Sequence, residues 1–172
     1  MIIHLTELLS NEGKVKDVTA EYESDVFSSA YGDYTITDKK PLSIRLTNLG
    51  KKTILIETEI AITLSIPCDR CLQDVSRDFC IEVTKEVDLN DAQDAGDDFE
   101  ELSFLVDGDL DVDKLVYEEL LINLPAKTVC KSDCKGLCRK CGKNLNYGIC
   151  DCDTEELDPR MAKIRDIFKN FD

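Results

Sequence analysis

Eight of the nine cysteines fall into four close pairs: Cys68/Cys71, Cys130/Cys134, Cys138/Cys141 and Cys150/Cys152. No other feature of the 172-residue chain restricts its fold so tightly. Pairs of this kind point to disulfides in a secreted protein and to metal or redox chemistry in a reducing compartment. Zinc takes four soft ligands at the corners of a tetrahedron, with sulfur at about 2.3 Å. A Cys-x2-Cys turn supplies two of them, and a glycine after the second cysteine permits the positive φ that turns the chain back. Gly136-Leu137-Cys138-Arg139-Lys140-Cys141-Gly142 has this form.

Four pairs can join two by two in three ways. Joining Cys138/Cys141 to Cys150/Cys152 leaves an eight-residue loop with Asn144, Asn146 and Gly148, which turns easily. Joining Cys130/Cys134 to Cys138/Cys141 forces two pairs together across three residues. The expectation is therefore one Zn2+ held by Cys138, Cys141, Cys150 and Cys152, and a second held by Cys68, Cys71, Cys130 and Cys134. The second would clip a strand hairpin to a distant part of the chain and restrict the unfolded state across a long loop. The competing reading makes Cys68 and Cys71 a redox pair or small core residues. Four thiolates leave no open coordination position, so the metal is expected to hold the fold and not to catalyse. Cys80 sits on the polar side of its strand with Asp78 and Glu82, as a bystander.

Period-two alternation supplies the body of the fold. Ile54, Ile56, Ile60, Ile62, Leu64 and Ile66 occupy even positions, broken only by Thr58, and most odd positions between them are Thr, Glu or Ser. Val75, Phe79, Ile81, Val83, Val87 and Leu89 repeat the pattern on odd positions, and Leu42, Ile44 and Leu46 give a shorter version. These predict three antiparallel strands with one wet face each. The two long ones are joined at Pro67-Cys68-Asp69-Arg70-Cys71. Val15 to Tyr22 adds a candidate fourth. Asn90 to Glu101 reads as an acidic mobile loop. Asp111 is placed to cap a helix running to about Leu124 and stopped by Pro125, with Val112, Leu115, Val116 and Leu120 inward. Asp158-Pro159 opens a last helix with an apolar stripe of Met161, Ile164, Ile167, Phe168 and Phe171, read as docking on the body of the protein, with partner binding as the sharper alternative. The fold class expected is α+β: an antiparallel β-sheet body with a few helices over residues 1–126, and a cysteine-rich zinc segment with a C-terminal helix over 127–172, together one compact unit.

The formal net charge of −15 is uneven. Glu86 to Glu119 holds fourteen Asp and Glu against Lys114 alone, whereas Lys127 to Lys143 holds six basic residues against Asp133. The overall charge opposes non-specific nucleic-acid binding. Two Zn2+ with eight thiolates would add −4, so the basic side chains partly compensate thiolates. No apolar run is long enough to cross a bilayer, and the opening Met1-Ile2-Ile3-His4-Leu5 lacks the form of a secretory signal, so a cytoplasmic location and no membrane partner are expected. One histidine, His4, has no matched nucleophile, and neither phosphate-binding glycine motif is present, so no enzyme activity and no small-molecule substrate are expected.

Pro67-Cys68-Asp69-Arg70-Cys71-Leu72, the acidic stretch, Leu124-Pro125, and Cys130-Lys131-Ser132-Asp133-Cys134-Lys135-Gly136-Leu137-Cys138-Arg139-Lys140-Cys141-Gly142 ending in Cys150-Asp151-Cys152 resemble the YceD family of bacterial and plastid proteins. The likeness runs along nearly the whole chain, and the C-terminal cysteine pattern is its specific part. The resemblance implies a non-enzymatic role in accumulation of 23S rRNA and assembly of the large ribosomal subunit. A ribosomal protein or assembly factor is then the expected partner, with rRNA as the alternative. Apart from the resemblance, clustered thiolates also suit a redox-switched zinc chaperone, and a zinc-ribbon transcription factor is disfavoured by the charge.

Overall fold

A computed structural model of the protein describes residues 1–90 and 103–152. The acidic loop, all but Asn90, and the helix expected from Asp158 lie outside the described residues. The chain forms two compact units, one comprising Met1–Ile66 and Asp74–Thr128, the other Pro67–Gln73 and Val129–Asp172.

The first unit is mostly antiparallel sheet with two helices. In chain order its elements are β1 (Ile2–Ile3), α1 (Thr6–Leu9), β2 (Val15–Ala20), β3 (Val26–Ser29), β4 (Gly32–Lys39), β5 (Leu42–Gly50), β6 (Thr53–Pro67), β7 (Asp74–Asp88), β8 (Leu105–Val106), β9 (Asp109–Asp111) and α2 (Val112–Asn123). A six-stranded sheet runs β2-β5-β6-β4-β3, with β7 also paired to β6, and a three-stranded sheet runs β1-β9-β8. Strand β6 is the organiser. Its first half pairs β5, from Gly50↔Thr53 to Ile44↔Thr58. Its second half pairs β4, from Lys39↔Ile62 to Thr35↔Ser65. Just beyond the ends of β7 and β6, Leu89 N donates to Lys52 O at 3.1 Å.

The alternation explains the packing. Ile54, Ile56, Ile60 and Leu64 of β6 are fully buried, as are Ile44 and Leu46 of β5. Each removes an aliphatic side chain from water, worth about 1.5–3 kcal/mol. Thr58, the one polar residue on that face, is buried with them. Helix α2 begins where Asp111 Oδ1 accepts from Asp113 N and Lys114 N, the capping that the sequence predicts. Val112, Leu115, Val116 and Leu120 are fully buried. The sequence also hid some elements. Strands β3 and β4 alternate weakly, yet Phe27 of β3 is fully buried and packs on Tyr117 of α2, the rings tilted by 33° with centroids 5.2 Å apart. The hairpin β8–β9 turns on Asp107-Gly108, both with positive φ.

Several residues of the acidic stretch Glu86 to Glu119 make structural contacts. Glu119 is only 8% exposed, and its carboxylate lies 2.6 Å from Lys85 Nζ of β7. Asp109 accepts from Leu5 N at 3.0 Å and pairs with His4 Nδ1 at 2.5 Å, and Asp113 accepts from Glu23 N at 3.2 Å.

Candidate metal centres

The second unit has no sheet of its own among the described residues, and turns position its cysteines. Each Cys-x2-Cys segment adopts one backbone frame. Cys68 N donates to Gln73 O at 2.8 Å and Leu72 N to Cys68 O at 2.9 Å; Cys138 N donates to Lys143 O at 2.8 Å and Gly142 N to Cys138 O at 2.9 Å. The residue after the second cysteine takes positive φ in both, 58° at Leu72 and 73° at Gly142. Only glycine reaches that region without a Cβ penalty, so the first turn is made against side-chain preference. Gly136 also has positive φ, and a Cβ there would lie 2.9 Å from Arg70 O. That carbonyl accepts from Leu137 N at 3.0 Å, and Arg70 Nη1 donates to Cys134 O at 2.9 Å. The close approach of these two segments brings cysteines far apart in sequence together.

Two sets of four thiols result: Cys68, Cys71, Cys130 and Cys134, and Cys138, Cys141, Cys150 and Cys152. Within each set the sulfurs all lie within 4.8 Å of one another. Cys68 and Cys134 Sγ are 3.9 Å apart, and Cys71 and Cys130 Sγ 3.6 Å. A tetrahedron of sulfurs at about 2.3 Å from zinc has edges of about 3.8 Å, and these two separations lie close to that value. All nine cysteines are free, and the sulfurs stand well beyond the roughly 2.05 Å of a disulfide. Both sets could hold a metal ion.

Electrostatics favours a cation at each centre. Burial resists ionisation of Cys68, but backbone N–H groups of Arg70, Cys130 and Cys71 point at its sulfur and bring the thiol down to about 6. The N–H groups of Cys141 and Lys140 do the same for Cys138, again to about 6. Cys134 is lowered, first by the side-chain amide of Asn146, whose Nδ2 donates to its sulfur at 3.4 Å. In the same clusters Cys130 is pushed up to about 12, by burial and then by the Cys134 and Cys71 sulfurs. Cys152 is pushed up to about 12, first by Cys141. Thiols packed this closely cannot all ionise beside one another, and a dication among them removes the conflict.

Asn146 was legible in the sequence only as a turn former. In the structure it accepts from Lys135 N at 2.9 Å and donates to Cys134, so a loop between two cysteines of one set supports a thiol of the other. Cys80 is exposed and belongs to neither set. No helix among the described residues is long and apolar enough to cross a membrane.

A family model described as "Large ribosomal RNA subunit accumulation protein YceD" matches residues 56–168, a span that contains both cysteine sets. The chain belongs to the YceD family. It is 29% identical over 124 residues to an uncharacterized protein of Mycobacterium tuberculosis, covering 72% of this chain and 59% of that one. It is 26% identical over 149 residues to the Arabidopsis thaliana protein named large ribosomal RNA subunit accumulation protein YCED homolog 1, chloroplastic, covering 70% of this chain and 46% of that one. Bacillus subtilis YlbN is 25% identical over 126 residues, covering 73% and 72%. The chain thus spans about three fifths of the mycobacterial relative and less than half of the plant one. No solved structure matches this YceD-family chain.

Proposed function

We propose that this protein is a non-enzymatic factor that supports accumulation of the large-subunit ribosomal RNA, with two zinc ions holding its cysteine unit in shape. The observation that carries the reading is the family match over residues 56–168, which takes in both thiol sets and is described by rRNA accumulation. The thiol geometry supports the zinc: each set supplies four sulfurs, filling a tetrahedral ion completely and leaving no position for a reacting water. Cys68, Cys71, Cys130 and Cys134 would hold one ion, and Cys138, Cys141, Cys150 and Cys152 the other. A basic ribosomal protein or assembly factor is the favoured partner over RNA, because the formal charge is −15 and two filled centres make it about −19. Bound in the cytoplasm to such a partner, the protein would act by keeping it available to the growing subunit.

Depletion should lower mature 23S rRNA relative to 16S, measured by quantitative electrophoresis of total RNA, with a matching loss of large subunits in sucrose gradients. An unchanged ratio would refute the role. Affinity purification from growing cells, with and without nuclease, separates a protein partner from direct rRNA contact.

A further inference from the structure

The two thiol sets differ in access to solvent. In the first, Cys68 is fully buried, Cys71 and Cys134 are each 4% exposed, and only Cys130 reaches the surface. In the second only Cys138, 4% exposed, is buried, whereas Cys141 is exposed and Cys150 and Cys152 are half-buried. The support is unequal as well. Cys68 Sγ accepts from Cys130 N at 3.4 Å and Cys134 Sγ from Asn146 Nδ2 at 3.4 Å, and Arg70 Nη1 reaches both Cys134 O and Ser132 O. Two separate stretches of chain are thereby laced across the first centre. The second is closed by one continuous run from Cys138 to Cys152, with Lys143 Nζ on Ile149 O at 2.7 Å across its loop.

We propose that the centre formed by Cys138, Cys141, Cys150 and Cys152 is an exchangeable metal site, and the centre formed by Cys68, Cys71, Cys130 and Cys134 a permanent one. The proposal rests on the zinc reading above. Cys138, Cys141, Cys150 and Cys152 would release a bound ion by ligand exchange, each thiolate being replaced on the ion by an incoming donor and taking up a proton. No electron changes hands. The incoming donor must reach the ion, and one exposed and two half-buried cysteines leave it a way in that three buried cysteines deny it. Thiolates open to solvent are also the reactive ones. The partly exposed centre is therefore where cellular zinc buffers and thiol-directed reagents meet this protein first.

The test uses the full reduced chain, its zinc content measured by elemental analysis before a chromogenic chelator is added. Two zinc ions should leave in two equal phases, the fast one about tenfold or more faster than the slow one, reflecting access to the sulfurs. Alkylation with iodoacetamide at the end of the fast phase, mapped by peptide mass spectrometry, should label Cys138, Cys141, Cys150 and Cys152 and spare the other set. Cys80, exposed and outside both sets, labels from the start and serves as the internal reference. C141S should carry one zinc that leaves at the slow rate. One zinc as purified, with Cys68, Cys71, Cys130 and Cys134 protected, also supports the proposal. A single release phase, or protection of the second set instead, overturns it while leaving the zinc reading intact. A folded chain without zinc overturns both.

Discussion

Leu72 shows how a single residue can be forced by its surroundings. It sits at φ 58°, where its counterpart in the other cysteine turn is Gly142, and its side chain is 66% exposed, so packing gives nothing back. The left-handed region costs an ordinary residue roughly 1–2 kcal/mol. L72G is expected to raise stability by about 1 kcal/mol net of the extra freedom it gives the unfolded chain, read as a higher midpoint in zinc-loaded urea denaturation. G136A is the opposite case, since it meets positive φ and the Arg70 carbonyl at once. It should destabilise the zinc-loaded protein by about 2 kcal/mol or more and weaken metal retention in the set of Cys68, Cys71, Cys130 and Cys134. Both effects concern backbone angles. The glycines at 136 and 142 announced their positive φ in the sequence, whereas the turn at Cys68 and Cys71 was legible from its spacing but the positive φ of Leu72 was not.

At the scale of elements, legibility followed the strength of the repeating pattern. Strands β5, β6 and β7 and helix α2 were readable because burial selects every second residue of a strand and a fixed stripe of a helix, and Asp111 marks the start of α2 chemically. Strands β3 and β4 were not, because they are anchored by single large side chains such as Phe27 and not by a run of alternating ones. The grouping of the eight thiols followed the spacing, but the support from Asn146 and Arg70 depends on contacts between distant segments that no local pattern encodes. The pairing of α2 with β7 was equally hidden. Lys85 neutralises Glu119 and its ammonium lies 5.2 Å from the centre of the Phe104 ring. K85M leaves a nearly buried carboxylate alone and should cost about 3 kcal/mol at neutral pH. The double variant K85M/E119L should recover most of that loss in thermal unfolding. Asp109 ties β9 to the residues before α1, and its carboxyl is held below the ordinary value of 3.8, first by His4 and then by Leu5 N. A carboxyl depressed in the folded state stabilises above its unfolded pKa and ceases to do so as pH falls through the folded one. D109N should therefore lower the melting temperature at pH 7, and the gap from the unaltered protein should close as the pH drops below 3.8. A gap of constant size down to strongly acidic pH would show that the charge contributes nothing.

Across the whole chain, the two units are stabilised by different physics. The hydrophobic core contains no residue of Pro67–Gln73 and none of the described residues from Val129 onwards. The buried apolar side chains of that second unit, among the described residues, are its cysteines. Ordering a residue costs roughly 1–2 kcal/mol of backbone entropy, and aliphatic burial is what normally offsets it. Among the described residues the second unit lacks that offset, and under the zinc reading proposed above metal–sulfur bonding would supply it, as in small zinc modules whose folding free energy is the metal-binding free energy. The first unit has its own apolar core in β5, β6 and α2, so the same reading expects it to stand without metal. Exhaustive chelation under reducing conditions should then unfold one unit and spare the other. Hydrogen exchange is expected to lose protection at Cys68, Leu72, Leu137, Cys138 and Leu145, whose amides donate within the second unit, while the amides of Ile54 to Ile66 and of Leu115 to Leu120 keep theirs. Restoring zinc should bring the lost protection back. If instead the strand amides open together with the cysteine turns, the chain folds as one cooperative body and the metal supports all of it; if neither set of amides responds, the thiols hold their arrangement without an ion.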